Sequence, residues 1–233
     1  MNLLAFDLST SLLNIAVSSA DNILYTKTEA SMRHSELVMD QIDSLLKKAL
    51  LKPRDLQGIL CTGGPGSFTG LRMGYSIAKA LSLCLSVPFS PVPTLDCIAN
   101  AVIADNNAKS AENIIIPVIS ARKNTFFYTV FQSEKRLKED RETCASEISE
   151  EITPFISGNK TVIITGHAAR LLYDSIHEKT ESIFIINTED ACYAKEAITI
   201  AQKRKLMDNN NTAYLFSGPE YLRLPDAELR KSV

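Results

Sequence analysis

The chain has 233 residues, 45% of them hydrophobic, and a formal net charge of −2. That length allows one or two domains, each with its own core. The balance excludes a disordered chain and a strongly basic nucleic-acid binder, and no apolar run approaches the length of a membrane span. Five cysteines, odd in number and without a Cys-x-x-Cys pair, point to free thiols in a reducing compartment rather than to a disulfide framework or a zinc site. Cys61 and Cys84 fall in apolar patterns and read as core thiols. Asp7 comes too early for a signal peptide, and the start lacks a basic flank, so a cytoplasmic protein with no membrane contact is expected.

In chain order, the first run, Leu3 to Phe6, reads as a buried strand ending at Asp7, Ser9, Thr10 and Ser11. Leu13 to Val17 alternates as a second strand, and Ile23 to Thr26 reads as a third after a turn at Asp21-Asn22. Open α/β sheets bind ligands at the carboxyl ends of their strands. Asp7 there suits a Mg²⁺–phosphate, with Ser9 and Thr10 donating hydrogen bonds. An Asx/Ser turn that only caps the hairpin fits the same residues equally well.

Residues 34–50 read as a helix. Glu36, Asp40, Asp43 and Lys47 make one solvent stripe, and Leu37, Val38, Ile42, Leu45, Leu46, Ala49 and Leu50 cover the rest. His34, near its start, reads as a surface or capping residue. A short buried strand, Gln57 to Thr62, then runs into Gly63, Gly64, Pro65 and Gly66. Ser67 and Thr69 offer capping hydroxyls, and a helix follows over 70–86.

Such a loop aims backbone N–H groups at the positive end of a helix, which favours an anion. It matches neither familiar phosphate motif: Gly70 is followed by Leu71-Arg72 rather than Lys-Ser/Thr, and the glycine spacing is one residue too long for a dinucleotide fingerprint. A close-packed turn without a ligand remains open beside the anion site. Helix 70–86 is apolar almost all round, with Arg72, Ser76, Lys79 and Ser86 as a thin polar line. It is either sunk between layers or half-covered by a partner.

A helix is expected from Thr94 toward Ala104, then a polar break over Asp105 to Ser110. Ile114 to Ser120 and Thr125 to Phe131 read as two strands that echo residues 3–17, with Ser120 near the place of Asp7. A strand at Thr161–Thr165 closed by Gly166, a helix through Leu171-Leu172, a strand at Ile183–Ile186 and a helix from about Asp190 to Met207 complete the pattern, before a loop at Asn209–Thr212. The basic run Lys203-Arg204-Lys205 and the pair Arg230-Lys231 read as solvated surface.

Phe6-Asp7-Leu8-Ser9-Thr10 together with Gly64-Pro65-Gly66-Ser67-Phe68-Thr69-Gly70-Leu71-Arg72 resembles the TsaB (YeaZ) family. Arg33 to Glu36, Ser120-Ala121-Arg122 and Pro219 to Arg223 are similar too, so the likeness spans nearly the whole chain. It implies an α/β actin-like ATPase, sugar-kinase and Hsp70 (ribonuclease H-like) fold: two duplicated lobes around a cleft, here 1–105 and 106–233. It implies a role with TsaD and TsaE homologues in making threonylcarbamoyladenosine at position 37 of transfer RNA. In that role the chain is a non-catalytic activating subunit that heterodimerises with TsaD, forms a homodimer when alone and meets tRNA only through the complex.

The resemblance implies a nucleotide or phosphate cleft at Asp7, Ser9, Thr10, Gly64, Gly66, Ser67 and Thr69. It implies a partner interface of Leu37, Val38, Ile42, Leu45, Arg72, Met73, Ile77, Ala80 and Leu81, with Arg33 beside it. Related TsaD subunits carry a His-x-x-x-His metal pair on the helix where this chain has Thr94 and Ile98, and neither residue replaces an imidazole ligand. Asp96 and Cys97 point to different faces, and His34, His167 and His177 are scattered, so no metal is expected. Ser120 and Thr125 stand where many relatives have Asp and Glu, which argues against independent ATP hydrolysis. No cofactor of its own is expected, with ATP and Mg²⁺ left to the complex. Two rival readings are a stand-alone actin-like kinase or ATPase and a metalloprotease.

Overall fold

The computed structural model describes residues 1–20, 22–30, 33–104, 113–122, 124–156, 161–176, 183–185, 191–208, 213–219 and 222. The expectations at Asp21, His177, Asn209–Thr212, Tyr221, Arg223, Arg230-Lys231 and the polar break at Asp105 lie outside these residues.

The first half runs β1 (Leu3–Asp7), β2 (Leu12–Ser19), β3 (Asn22–Glu29), α1 (His34–Lys48), β4 (Gly58–Thr62), α2 (Phe68–Leu85), β5 (Phe89–Val92) and α3 (Thr94–Ile103). Among the described residues the remaining strands are β6 (Ile114–Ser120), β7 (Thr125–Tyr128), β8 (Phe131–Gln132), β9 (Lys135–Arg136), β10 (Arg141–Cys144), β11 (Val162–Thr165) and β12 (Ile183–Ile185). The helices with them are α4 (Ala145–Ile152), α5 (Ala169–Ile176), α6 (Tyr193–Lys203) and α7 (Ala213–Phe216).

The first sheet is ordered β3-β2-β1-β4-β5, antiparallel on the hairpin side and parallel from β1 to β5. The second is ordered β10-β7-β6-β11-β12 with the same alternation of directions. The helices repeat as well: one after the third strand, one after the fourth and one after the fifth. This is the duplicated α/β arrangement of the actin-like proteins. The small strands β8 and β9 pair beside the start of β6 and have no counterpart in the first half.

β1 and β4 are buried on both faces, which explains why Leu3 to Phe6 and Ile59 to Cys61 run apolar without alternation. The period of two then divides the layers. Leu4, Phe6, Leu13, Ile15, Val17, Ile59 and Cys61 pack with residues of α1 and α2. Leu3, Ala5, Ala16 and Leu60 pack with Ala194, Ala197, Ile198 and Ala201 of α6. In the other half, Ala99 and Val102 of α3 pack on Ile115, Phe131 and Ile163. Each half therefore lends its last helix to the other half's sheet. Asn100 donates to Glu196 at 2.5 Å across α3 and α6, and Arg204 meets Asp96 at 2.8 Å.

Several elements differ from the sequence reading. β5 has no counterpart in the sequence reading; it lies at the edge of its sheet, where a strand tolerates Pro91. The expected strand to Phe131 ends at Tyr128 and restarts as β8. α6 is shorter than expected and stops at Lys203. Among the described residues no helix is long and apolar enough to cross a membrane.

Candidate functional site

The glycine loop between β4 and α2 lies directly on the turn after β1. The Ser67 N–H donates to the Ser9 carbonyl at 2.7 Å, and the Ser67 hydroxyl accepts from the Gly70 N–H at 3.3 Å, capping α2. A Cβ on Gly70 would stand 1.8 Å from the Leu8 carbonyl oxygen, and one on Gly66 2.6 Å from the Ser9 Cβ. Both glycines are there because two backbones touch. Gly64 is tied to the start of α3, its N–H donating to Thr94 Oγ1 at 3.2 Å while its carbonyl accepts from the Thr94 N–H at 2.7 Å. The close-packed reading of the loop therefore describes Gly64, Gly66 and Gly70. Thr69, expected as a capping hydroxyl, is instead an exposed residue inside the first turn of α2.

Asp7 is fully buried. Its Oδ1 accepts from the Ser9 N–H at 3.0 Å and from the Thr62 hydroxyl at 2.6 Å, and its Oδ2 accepts from the Asn14 amide at 3.2 Å. The turn after β1 supplies Ser9, and β2 and β4 supply Asn14 and Thr62, because Asp7, Asn14 and Thr62 share one face of the sheet. Burial pushes the Asp7 carboxyl above its ordinary pKa, and the donors from Ser9, Thr62 and Asn14 work against that shift. The Ser9 hydroxyl sits beside this carboxylate yet makes no hydrogen bond of normal geometry. In this structure the Asp7 carboxylate is taken up by these donors and ties β1, β2 and β4 together.

Above it lies a cavity of about 420 Å³. Ser9, Thr10 and Ser11 form one wall, and Ser67, Thr69, Gly70 and Met73 at the start of α2 form another. His34 at the start of α1 closes a third side, and Ile119, Ser120 and His167 come from the second half. Of the expected phosphate residues, Ser9, Thr10, Ser67 and Thr69 line this space, and Asp7, Gly64 and Gly66 do not. His34 is a further correction. It is only 8% exposed, and its Nε2 is buried without a hydrogen-bond partner among the described residues. Two imidazoles that looked scattered in the sequence, His34 and His167, border one cavity. No local signal could have joined them, because the junction is made by the meeting of the two halves.

The expected interface residues divide. Val38, Ile42 and Leu45 fill the core beneath α1, so the expectation that they face outward is corrected; Leu37 is half-buried beside them. On α2, Arg72 and Ala80 are exposed, and Met73, Ile77 and Leu81 are partly buried against the same core. Leu83 is 65% exposed, and Cys84, expected in the core, is exposed beside it. Arg72 stacks over Phe68 at 4.9 Å, and Arg33 pairs with Glu36 at 2.9 Å.

At the place of the relatives' metal pair, Thr94 is buried in its bonds to Gly64, and Ile98 lies in the core with its Cγ2 close to Gly166. Asp96 pairs with Arg136 and Arg204, so Arg204 is not a free cation of the basic run. Ser120 ends β6 as an exposed residue, its hydroxyl donating to the Ala121 carbonyl at 3.3 Å. Thr125 donates to Glu142 at 2.7 Å.

Comparison with known proteins bears on this site. Residues 21–231 match the family model described as "TsaD: tRNA N6-adenosine threonylcarbamoyltransferase". The tRNA threonylcarbamoyladenosine biosynthesis protein TsaB of Bacillus subtilis is 27% identical over 99% of this chain and 97% of that protein. The protein of the same name from Escherichia coli is 26% identical over 72% of this chain and 73% of its own length. YeaZ from Pseudomonas aeruginosa shares the fold, with a TM-score of 0.75 at 18% identity, over 95% of this chain and 99% of that one.

Proposed function

Because the chain belongs to the TsaD family, in its TsaB (YeaZ) branch, we propose that it serves in making threonylcarbamoyladenosine at position 37 of tRNA, as a non-catalytic activating subunit. It acts in the cytoplasm, pairs with a TsaD homologue, and joins TsaE and tRNA through that partner. Alone, it pairs with a second copy through the same face.

The observation that carries this reading is the outer face of α2. Met73, Ile77, Ala80 and Cys84 recur at helical spacing, with Leu83 beside them, as one apolar strip at least partly open to solvent. Helices that meet through such strips gain free energy from the apolar area they remove from water, about 25 cal/mol per Å² before the cost of association. The strip does its work by contact alone, and the partner supplies the metal and transfer chemistry. The sealed carboxylate of Asp7 and the hydroxyl of Ser120 support the same division of labour, since neither offers an open acidic group for a Mg²⁺–nucleotide. ATP and Mg²⁺ then enter at the level of the complex.

The test is formation of threonylcarbamoyladenosine on unmodified tRNA with the cognate TsaD, TsaE and threonylcarbamoyl-adenylate. Product should depend strongly on adding this chain, and the chain alone should give none. Equal product without it, or turnover by the chain alone, would overturn the reading.

A further inference from the structure

We propose that the two halves are clasped at one fixed opening by polar ties across α3 and α6, with Asp96 at their centre and the β8–β9 hairpin as their anchor. Two lobes that share a junction open and close about it unless something spans it. Here α6 lies on the first sheet and α3 on the second, and the two helices meet in one apolar cluster through Leu95, Ile98, Ala194 and Ile198. Their crossing is the junction. Apolar contact is non-directional, so by itself it lets two helices slide and turn on each other. Hydrogen bonds and ion pairs fix a direction.

Asp96, in the first turn of α3, is 5% exposed and receives two guanidinium groups. Arg204, at the carboxyl end of α6, meets its Oδ2 at 2.8 Å, and Arg136 of β9 meets its Oδ1. Both helix ends favour these signs of charge. Arg136 is itself held by Asp140, by the Thr129 hydroxyl at 3.3 Å and by the Phe131 ring at 5.1 Å. Lys203 reaches Glu134 in the turn of the same hairpin at 3.4 Å, an exposed pair that adds little. Near the start of α6, Glu196 accepts from Asn100 of α3 at 2.5 Å. Glu196 and Arg204 stand roughly 12 Å apart along a helix that rises 1.5 Å per residue. One tie would leave a pivot, whereas two at that separation set the crossing angle. The hairpin, which the first half lacks, thus carries α6 and α3 as one unit. This proposal is independent of the subunit role, because none of these residues belongs to the outer face of α2.

Double electron–electron resonance on the intact chain reads the opening directly. Spin labels go on Lys48→Cys at the end of α1 and Glu150→Cys on α4, both exposed positions in different halves. Cys84→Ser and Cys144→Ser remove the reachable native thiols, and excess unlabelled chain removes signals between copies. One narrow distance distribution is expected while the ties are intact. Arg204→Met should broaden it about twofold or more, as the junction gains freedom to hinge. Arg204→Lys, which keeps a cation within reach of Asp96, should restore the narrow form. Asn100→Ala cuts the other tie and should broaden the distribution likewise, so the proposal stays testable if one of the variants fails to fold. A broad distribution with both ties intact, an unchanged width in the folded cut variants, or equal broadening by Arg204→Lys would each overturn the proposal.

Discussion

α1 and α2 pack on the same face of the same sheet, yet they dispose of their apolar residues differently. On α1, Val38, Ile42, Leu45 and Leu46 are buried, and Glu36, Asp40, Asp43 and Lys47 face water. On α2, Leu71, Tyr75 and Ala78 are buried in the same way, but the helix stays apolar beyond that stripe through Met73, Ile77, Ala80, Leu83 and Cys84. The sheet needs one stripe from each helix. Met73 and Ile77 are partly buried against the core, while Ala80, Leu83 and Cys84 are exposed, and such a contiguous apolar surplus is the usual mark of a surface meant to be covered. The lesson is that an apolar helix has to be read against the sheet it covers before its outward side means anything.

The largest expected effect lies on α1. Ile42→Asp places an unpaired charge where the side chain is 4% exposed, and the cost, about 4 kcal/mol or more, approaches the whole stability of many domains. Loss of the cooperative urea transition would confirm that α1 is spent on the core; a folded variant unable to associate would mean α1 is also a contact surface. Next is the start of α2. Ser67→Ala removes the cap to Gly70 and should cost about 1 kcal/mol by urea unfolding. A change near zero would show that the contact of Ser67 with Ser9 alone holds the helix start.

The third prediction concerns Asp7 beneath that junction. Its pKa lies above the ordinary 3.8 because burial penalises the charged form. In the window above 3.8 the folded chain therefore keeps a proton that the unfolded chain has lost. The stability tied to this group is greatest at low pH and falls as pH rises through that window. Asp7→Asn removes the titration, so the stability of the variant relative to wild type should grow with pH and then level off. Parallel unfolding profiles across pH would show that the donors from Ser9, Thr62 and Asn14 offset burial in full. The smallest effect belongs to the outer face of α1. Lys47 meets Asp43 at 2.5 Å with both side chains largely exposed, and Lys47→Ala should cost no more than about 0.5 kcal/mol in the same assay.

The fold was legible where the pattern is local and long. The apolar run at Leu3 to Phe6, the alternation through Leu13 to Val17 and the stripes of residues 34–48 declare their elements without help. Elements set by distant pairing were not legible. β10, Arg141–Cys144, has no apolar alternation and is a strand because β7 lies beside it. α4 carries a short signal, Ile148 and Ile152 one turn apart and both buried, that eight residues make easy to miss. At the site, the glycine loop announced itself, but its contact with Ser9 decided which glycines are packing positions. The burial of Asp7 follows from Asn14 and Thr62 on neighbouring strands. The meeting of His34 with His167 depends on both halves at once. The division of α1 from α2 needed the sheet, since both helices offer enough apolar residues to cover it.

The most direct test of the subunit role compares wild type with Ala80→Glu in sedimentation against the cognate TsaD. Ala80 is exposed, so the substitution should leave the unfolding transition within about 0.5 kcal/mol of wild type. The account predicts a stable heterodimer for wild type and none for Ala80→Glu. A variant that pairs as tightly as wild type would contradict it and place the contact elsewhere on the molecule.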